Sequence, residues 1–290
     1  MKNLPNGTAD PGGPRPLPWL CAGGVLLVLA GLLVHLSGAD PAWMLRVHAG
    51  APSALSSMFW SVTTVMGLGS CAVICVLAVD RGAGRVAALL PPVFLLGGVL
   101  THAVKWLLAV PRPAGSALAP QLHVIGSAFR GAVSMPSGHA LTAAAAAALV
   151  CLALPGRRPL AMLLVGAAAG CIAWSRVVVG AHWPSDVLVG AGLGLLAVAA
   201  CLAGWERGPG RRLHAALVRR IAAPTGQRWV AVAELAAAAV LLEERTGYPA
   251  GVPTVVVLAI MACASAAWRW RAARDPRATR TLRDAPAERS

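Results

Sequence analysis

The sequence predicts an all-α fold: a polytopic membrane helical bundle of six spans followed by a C-terminal helical hairpin. Three observations carry this. Only 12% of the 290 residues are charged and 57% are apolar, whereas a soluble domain is about one quarter charged. Apolar runs recur at the length of roughly 20 residues that a helix needs to cross the hydrocarbon core. The net charge of +14 falls in short loops and a tail between those runs. That is where charges that set topology sit, so no nucleic-acid partner is expected.

The elements follow in order. The N-terminal stretch is polar and rich in Pro and Gly, and no signal-peptide cleavage pattern follows the first run. That run is 19–36. A short segment, 42–56, is expected at the membrane surface. The second run, 55–79, carries no charge and is long enough to cross with tilt. A tight basic loop at 80–85 leads to the third run, 86–104, whose Pro91 and Pro92 predict a tolerated kink. A long loop, 110–137, holds Arg112, His123 and Arg130. The Ala-rich fourth run is 138–154, and a basic loop at 156–159 follows.

The fifth run, 160–179, has Gly166 and Gly170 at GxxxG spacing, and the sixth, 187–205, has Gly190 and Gly194. Small residues at that spacing let helices approach closely in lipid. Residues 207–228 are strongly basic and amphipathic near 213–221, which predicts an interfacial helix. Runs 229–242, with Glu234 inside, and 252–268 predict the hairpin and so a total of eight membrane helices. The resulting division is a cytoplasmic segment 1–18, a six-span core 19–205, a basic cytoplasmic linker 206–228, a membrane hairpin 229–268 and a basic polar tail 269–290.

Cys21, Cys71, Cys75, Cys151, Cys171, Cys201 and Cys263 all lie in apolar runs with no CxxC pair. They predict neither disulfides nor a metal site.

Arg-rich loops alternate at 81–85, 156–159 and 206–228. The positive-inside rule therefore puts the N-terminus in the cytoplasm. Alternation then brings Lys105, Arg112, His139, Arg176, His182 and Asp186 to one face, the outer one. Two Arg and one Lys form a cationic cluster suited to phosphate oxygens. Ser137, Gly138 and His139 open a helix whose free N–H groups favour an anion. Two His residues offer a nucleophile and a general acid, and Asp186 can hold one imidazole in the attacking tautomer. This set suits metal-free phosphoryl transfer through a phosphohistidine.

KWLLAVPRP at 105–113, PSGH at 136–139 and SRVVVGAHWPSD at 175–186 resemble, in order and without departure, the three motifs of the type-2 phosphatidic acid phosphatase superfamily. The resemblance covers residues 19–205, which makes that core a six-helix phosphatase core. It implies that His182 is the nucleophile, that Asp186 orients it, and that His139 protonates the leaving oxygen and then activates water. It implies further that Lys105, Arg112, Ser137, Gly138 and Arg176 hold the phosphate, with no cofactor and no metal. No Asp/Glu cluster stands ready for Mg²⁺.

A site at the bilayer surface suits a lipid phosphate or diphosphate: undecaprenyl diphosphate first, then phosphatidylglycerophosphate or phosphatidate. Vanadate-dependent haloperoxidases have a similar site but are soluble. A non-catalytic lipid-binding or transport protein would have lost the His pair or Asp186, and all three are present.

Each residue also has a plainer reading. Lys105 and Arg176 could snorkel at helix ends, and Asp186 could serve only the helix dipole. His102 is expected to be an interior, hydrogen-bonded imidazole. His123 and Arg130 are either headgroup contacts or ordinary loop residues. His35, His48 and His214 are expected at the interface. Glu234 either pairs within the hairpin or argues that its segment does not span.

Overall fold

The computed structural model describes residues 16–81, 84–127, 131–154 and 158–274. The expectations for most of the N-terminal segment, for Arg130, for part of the 156–159 loop and for the tail from 275 on lie outside the described residues. Eleven α-helices and no strand are present among them. They are α1 (Pro16–Leu36), α2 (Asp40–Val47), α3 (Ala54–Val65), α4 (Gly69–Val79), α5 (Arg85–Leu108), α6 (Gly138–Ala153), α7 (Pro159–Val178), α8 (Pro184–Glu206), α9 (Gly208–Ala222), α10 (Pro224–Glu243) and α11 (Val252–Ala272). The chain is an all-α integral membrane protein. Among the described residues, five helices are each long and apolar enough to cross a bilayer: α1, α5, α7, α8 and Pro249–Ala272, which includes α11.

Helix α8 is the axis of the bundle, with α1, α5, α6, α7 and α9 packed on it. Glycine makes the closest crossing possible. A Cβ at Gly190 would lie 2.3 Å from the Ser137 carbonyl oxygen, and one at Gly194 would lie 2.4 Å from that of Leu141. The GxxxG spacing of α8 therefore faces α6, backbone to backbone. The same spacing in α7 does not mark a contact: added Cβ atoms at Gly166 and Gly170 meet nothing within 4 Å.

The second run is long and apolar enough to cross only as a broken pair. It forms α3 and α4, bent by 70° at the break between them. Hydroxyls weaken α3 just before the break, since Ser61 Oγ donates to Ser57 O at 2.7 Å and Thr63 Oγ1 to Phe59 O at 2.8 Å, a pairing that bends helices. At the break, Gly67 lies against His139, where a Cβ would come within 2.8 Å of the ring. Helix α5 runs through Pro91 and Pro92 without interruption, its start capped by Asp80, whose Oδ2 accepts from Val86 N and Ala87 N at 3.1 and 2.6 Å.

The C-terminal part also differs from expectation. Helix α10 begins at Pro224, ahead of the apolar run, and is not among the helices apolar enough to span. It packs along α11 and against α4. Glu234 does pair within the hairpin: its Oε1 accepts from Arg269 Nε at 3.2 Å and from Ser265 Oγ at 2.7 Å. Arg269, expected to open a polar tail, is instead 1% exposed inside α11. Its guanidinium also donates to Gln227 Oε1 at 2.6 Å, to Asp80 O at 3.0 Å and to Leu77 O. A charge is tolerated at such depth because a carboxylate, an amide oxygen and two carbonyls accept from its guanidinium.

The hairpin thus docks at this end on α4, close to where Gly84 meets Ile221 of α9. The opposite end of the bundle gathers the loops after α1, α5 and α7 and the turn between α10 and α11. His48, expected at the interface, is buried there, with Nε2 at 3.0 Å from Val177 O.

Candidate active site

At that end, the loop between α7 and α8 presents His182, which is 3% exposed. Pro184 starts α8, and Asp186 falls in its first turn. The Asp186 Oδ2 accepts from Trp183 N at 2.9 Å and lies 3.1 Å from His182 Nδ1. A helix start therefore fixes the carboxylate that orients the imidazole. With Nδ1–H donated to Asp186, the lone pair of Nε2 points away from the carboxylate. Arg112 Nη1 stands 3.2 Å from that Nε2 and donates to Ala181 O at 2.8 Å.

The loop after α5 is sewn to this centre. Trp183 Nε1 donates to Pro111 O at 2.8 Å. Lys105, in the last turn of α5, donates through Nζ to Val133 O at 3.1 Å and Ser134 O at 3.0 Å. Ser134 Oγ donates to Asp186 Oδ2 and lies 3.3 Å from His182 Nδ1.

Helix α6 begins at the same place. Ser137 is its N-cap, with Oγ accepting from Ala140 N at 3.4 Å, and its own N–H donates to Asp186 O at 2.9 Å. A Cβ at Gly138 would meet nothing within 4 Å, so its backbone borders open space. His139 is half-buried beside it. A cavity of about 370 Å³ runs between α4, α5 and α6, bordered by Gly67, His102, Gly138, His139, Thr142 and Glu244.

Arg176, in the last turn of α7, is 2% exposed. Its Nη1 donates to Thr64 Oγ1 at 2.7 Å and to Tyr248 Oη at 3.4 Å. Its Nε is buried with no hydrogen-bond partner among the described residues.

Electrostatics follow from this crowding of cations in a buried site. Burial first, then the charges of Arg176, Arg112 and Lys105, push the His182 imidazole well below its ordinary range. Burial, and next Arg176, bring Arg112 down to about 10, which leaves it cationic at neutral pH.

Hydrogen bonds thus tie Lys105, Arg112, Ser137, His182 and Asp186 into one cluster, with Gly138 and His139 following Ser137 on α6. Arg176 comes from the helix that leads into the His182 loop. His102 does not sit in the interior; it is exposed and borders the cavity between α5 and α6. His123 is exposed in the loop.

Sequence reasoning missed Ser134, Thr64, Asp40 and Tyr248. Asp40 accepts from Ser185 N at 3.0 Å and from Ser185 Oγ at 2.5 Å, tying α2 to the start of α8. Ser134 stood two residues before PSGH and was legible as a polar residue of that loop. Thr64 and Tyr248 carried no sequence signal, since nothing in the order of residues brings them to Arg176.

Comparison with known families matches residues 86–208 to the PAP2 superfamily, the family that the three motifs resemble. The match spans all three motifs and leaves α1–α4 and the terminal hairpin outside it. That superfamily is associated in general with phosphatase-type or haloperoxidase-like activity. No curated protein and no solved structure gives a significant match.

Proposed function

From the PAP2 match over residues 86–208, we propose that the chain hydrolyses a lipid phosphate or diphosphate through a phosphohistidine on His182, without a metal, from the outer face of a bacterial inner membrane. The observation that carries this reading is His182 between Asp186 at 3.1 Å and Arg112 at 3.2 Å. Nδ1 is held, and Nε2 faces a cation.

In the first step the Nε2 lone pair attacks phosphorus and the bond from phosphorus to the leaving oxygen breaks. His139 gives that oxygen its proton. In the second step water attacks the phosphohistidine, His139 takes the proton of the water, and the P–N bond breaks to release phosphate and free His182. Arg112, Arg176, Ser137 and the Gly138 N–H hold the phosphoryl oxygens. Lys105 has one ammonium proton beyond the two it donates to carbonyls. Preorganised cations of this kind stabilise the charge that spreads over the oxygens in the transition state, the part a divalent metal plays elsewhere.

The cavity supports a lipid substrate, because Leu68, Phe94 and Leu141 line it beside His139. Undecaprenyl diphosphate is the first candidate; phosphatidylglycerophosphate and phosphatidate follow. The test is phosphate release by the purified protein in detergent from these three lipids, with and without EDTA. Release that EDTA leaves intact and that His182→Ala abolishes is expected. Release from none of them overturns the lipid reading, and a full requirement for a divalent ion overturns the metal-free mechanism.

A further inference from the structure

The turn between α10 and α11 lies outside the PAP2 match, yet it reaches the site. Tyr248, the one tyrosine of the chain, is 7% exposed and packs with Val65, Ile125, Val179 and Ala181. The last two lie in the stretch that carries His182. Its hydroxyl lies 3.4 Å from Arg176 Nη1.

The turn is held there from several directions. Ser127 N donates to Gly247 O at 3.0 Å. Gly126, at φ +78°, lies where a Cβ would come within 2.5 Å of the Tyr248 ring, and a Cβ at Gly251 would come within 2.6 Å of Val65. At the far end, Arg269 holds the hairpin to the Leu77 and Asp80 carbonyls. The hairpin is thus clamped at both ends, with its turn against the loop after α5.

We infer that the terminal hairpin completes the phosphate site, with Tyr248 as a positioning residue for Arg176. The inference rests on the phosphatase reading above. An arginine side chain has several rotatable bonds, and the bidentate grip of a guanidinium on an oxyanion depends on its plane. Thr64 and Tyr248 together engage Nη1, which fixes the plane, while Nε takes no hydrogen-bond partner among the described residues and remains available to an oxyanion. Tyr248 acts through Arg176 and need not touch the substrate.

Tyr248→Phe keeps the ring and removes only the hydroxyl. In the full-length protein the expected result is a melting temperature close to that of the wild type and vanadate inhibition weakened about three- to tenfold, the scale of one ordinary hydrogen bond, since this contact is long at 3.4 Å. KM should rise with it. Pairing Tyr248→Phe with Arg176→Lys should add little further weakening, because the hydroxyl acts only through the guanidinium. Unchanged vanadate inhibition and KM in Tyr248→Phe overturn the inference while leaving the phosphatase reading intact.

A second measurement needs no variant. With 3-fluorotyrosine incorporated, the single tyrosine gives one fluorine resonance, which should move when vanadate saturates the site. A resonance unmoved in a protein that vanadate inhibits also overturns the inference. If the protein neither hydrolyses lipid phosphates nor binds vanadate, both readings fall together.

Discussion

Arg112 Nη1 lies 3.2 Å from His182 Nε2, the nitrogen that Asp186 leaves free. Burial disfavours the protonated imidazole, and the charges of Arg176, Arg112 and Lys105 add to it, so the His182 pKa lies well below its ordinary value of 6.5. The charged form is the one penalised, so His182 stays neutral and nucleophilic as the pH falls through that range. The acid limb of kcat/KM, corrected for substrate ionisation, is therefore expected below about pH 6.5. A limb at or above that value contradicts the assignment of His182 as nucleophile.

Asp186 and Ser134 hold Nδ1 together. Asp186→Asn should cost roughly 10³- to 10⁴-fold in kcat, by the wrong-tautomer effect known from the serine triad. Ser134→Ala leaves the carboxylate in place and should cost about tenfold, the scale of one lost hydrogen bond. The informative comparison is single-turnover phosphoenzyme formation. Equal losses in the two variants would contradict the assignment of the tautomer to the carboxylate alone.

Two glycine pairs at identical spacing should behave oppositely. Gly190→Ala drives a methyl group to 2.3 Å from the Ser137 carbonyl oxygen. It should lower stability by about 1–3 kcal/mol, as overpacking does, and reduce activity by shifting the start of α6. Gly166→Ala meets nothing within 4 Å and should be neutral in both. Thermal unfolding in detergent reads the first effect, and initial rates read the second.

Arg269 and Glu234 form a buried pair at 3.2 Å, with exposures of 1% and 0%. Removing one partner should cost about 3–5 kcal/mol because the other charge is left buried. Arg269→Ala should be at least as damaging as Glu234→Gln, since it also strips donors from the Leu77 and Asp80 carbonyls. Urea or heat unfolding of both variants checks the order; a larger loss for Glu234→Gln would contradict it.

The proposed orientation has a direct reading. A reporter fused after Arg112 should report the periplasm, and one fused after Arg158 the cytoplasm. The reverse pattern would place the site on the cytoplasmic side and remove the argument for substrates of the outer leaflet.

The sequence by itself determined the membrane class and the all-α architecture, because bilayer thickness turns a run of apolar residues into a helix. It also brought Lys105, Arg112, Ser137, His182 and Asp186 to a single end, since alternating spans leave few ways to arrange three loops. Only the tertiary structure decided what those groups touch. It broke the second run at Gly67, where the chain passes His139, and it chose Gly190 over Gly166 as a helix contact. It buried Arg269 among acceptors and gave Arg176 its partners in Thr64 and Tyr248. The physical reason is that lipid is as apolar as a neighbouring helix, so hydropathy cannot tell a face toward the bilayer from a face toward the bundle. A polar side chain's partner is set by how the helices cross, which only the packed structure contains.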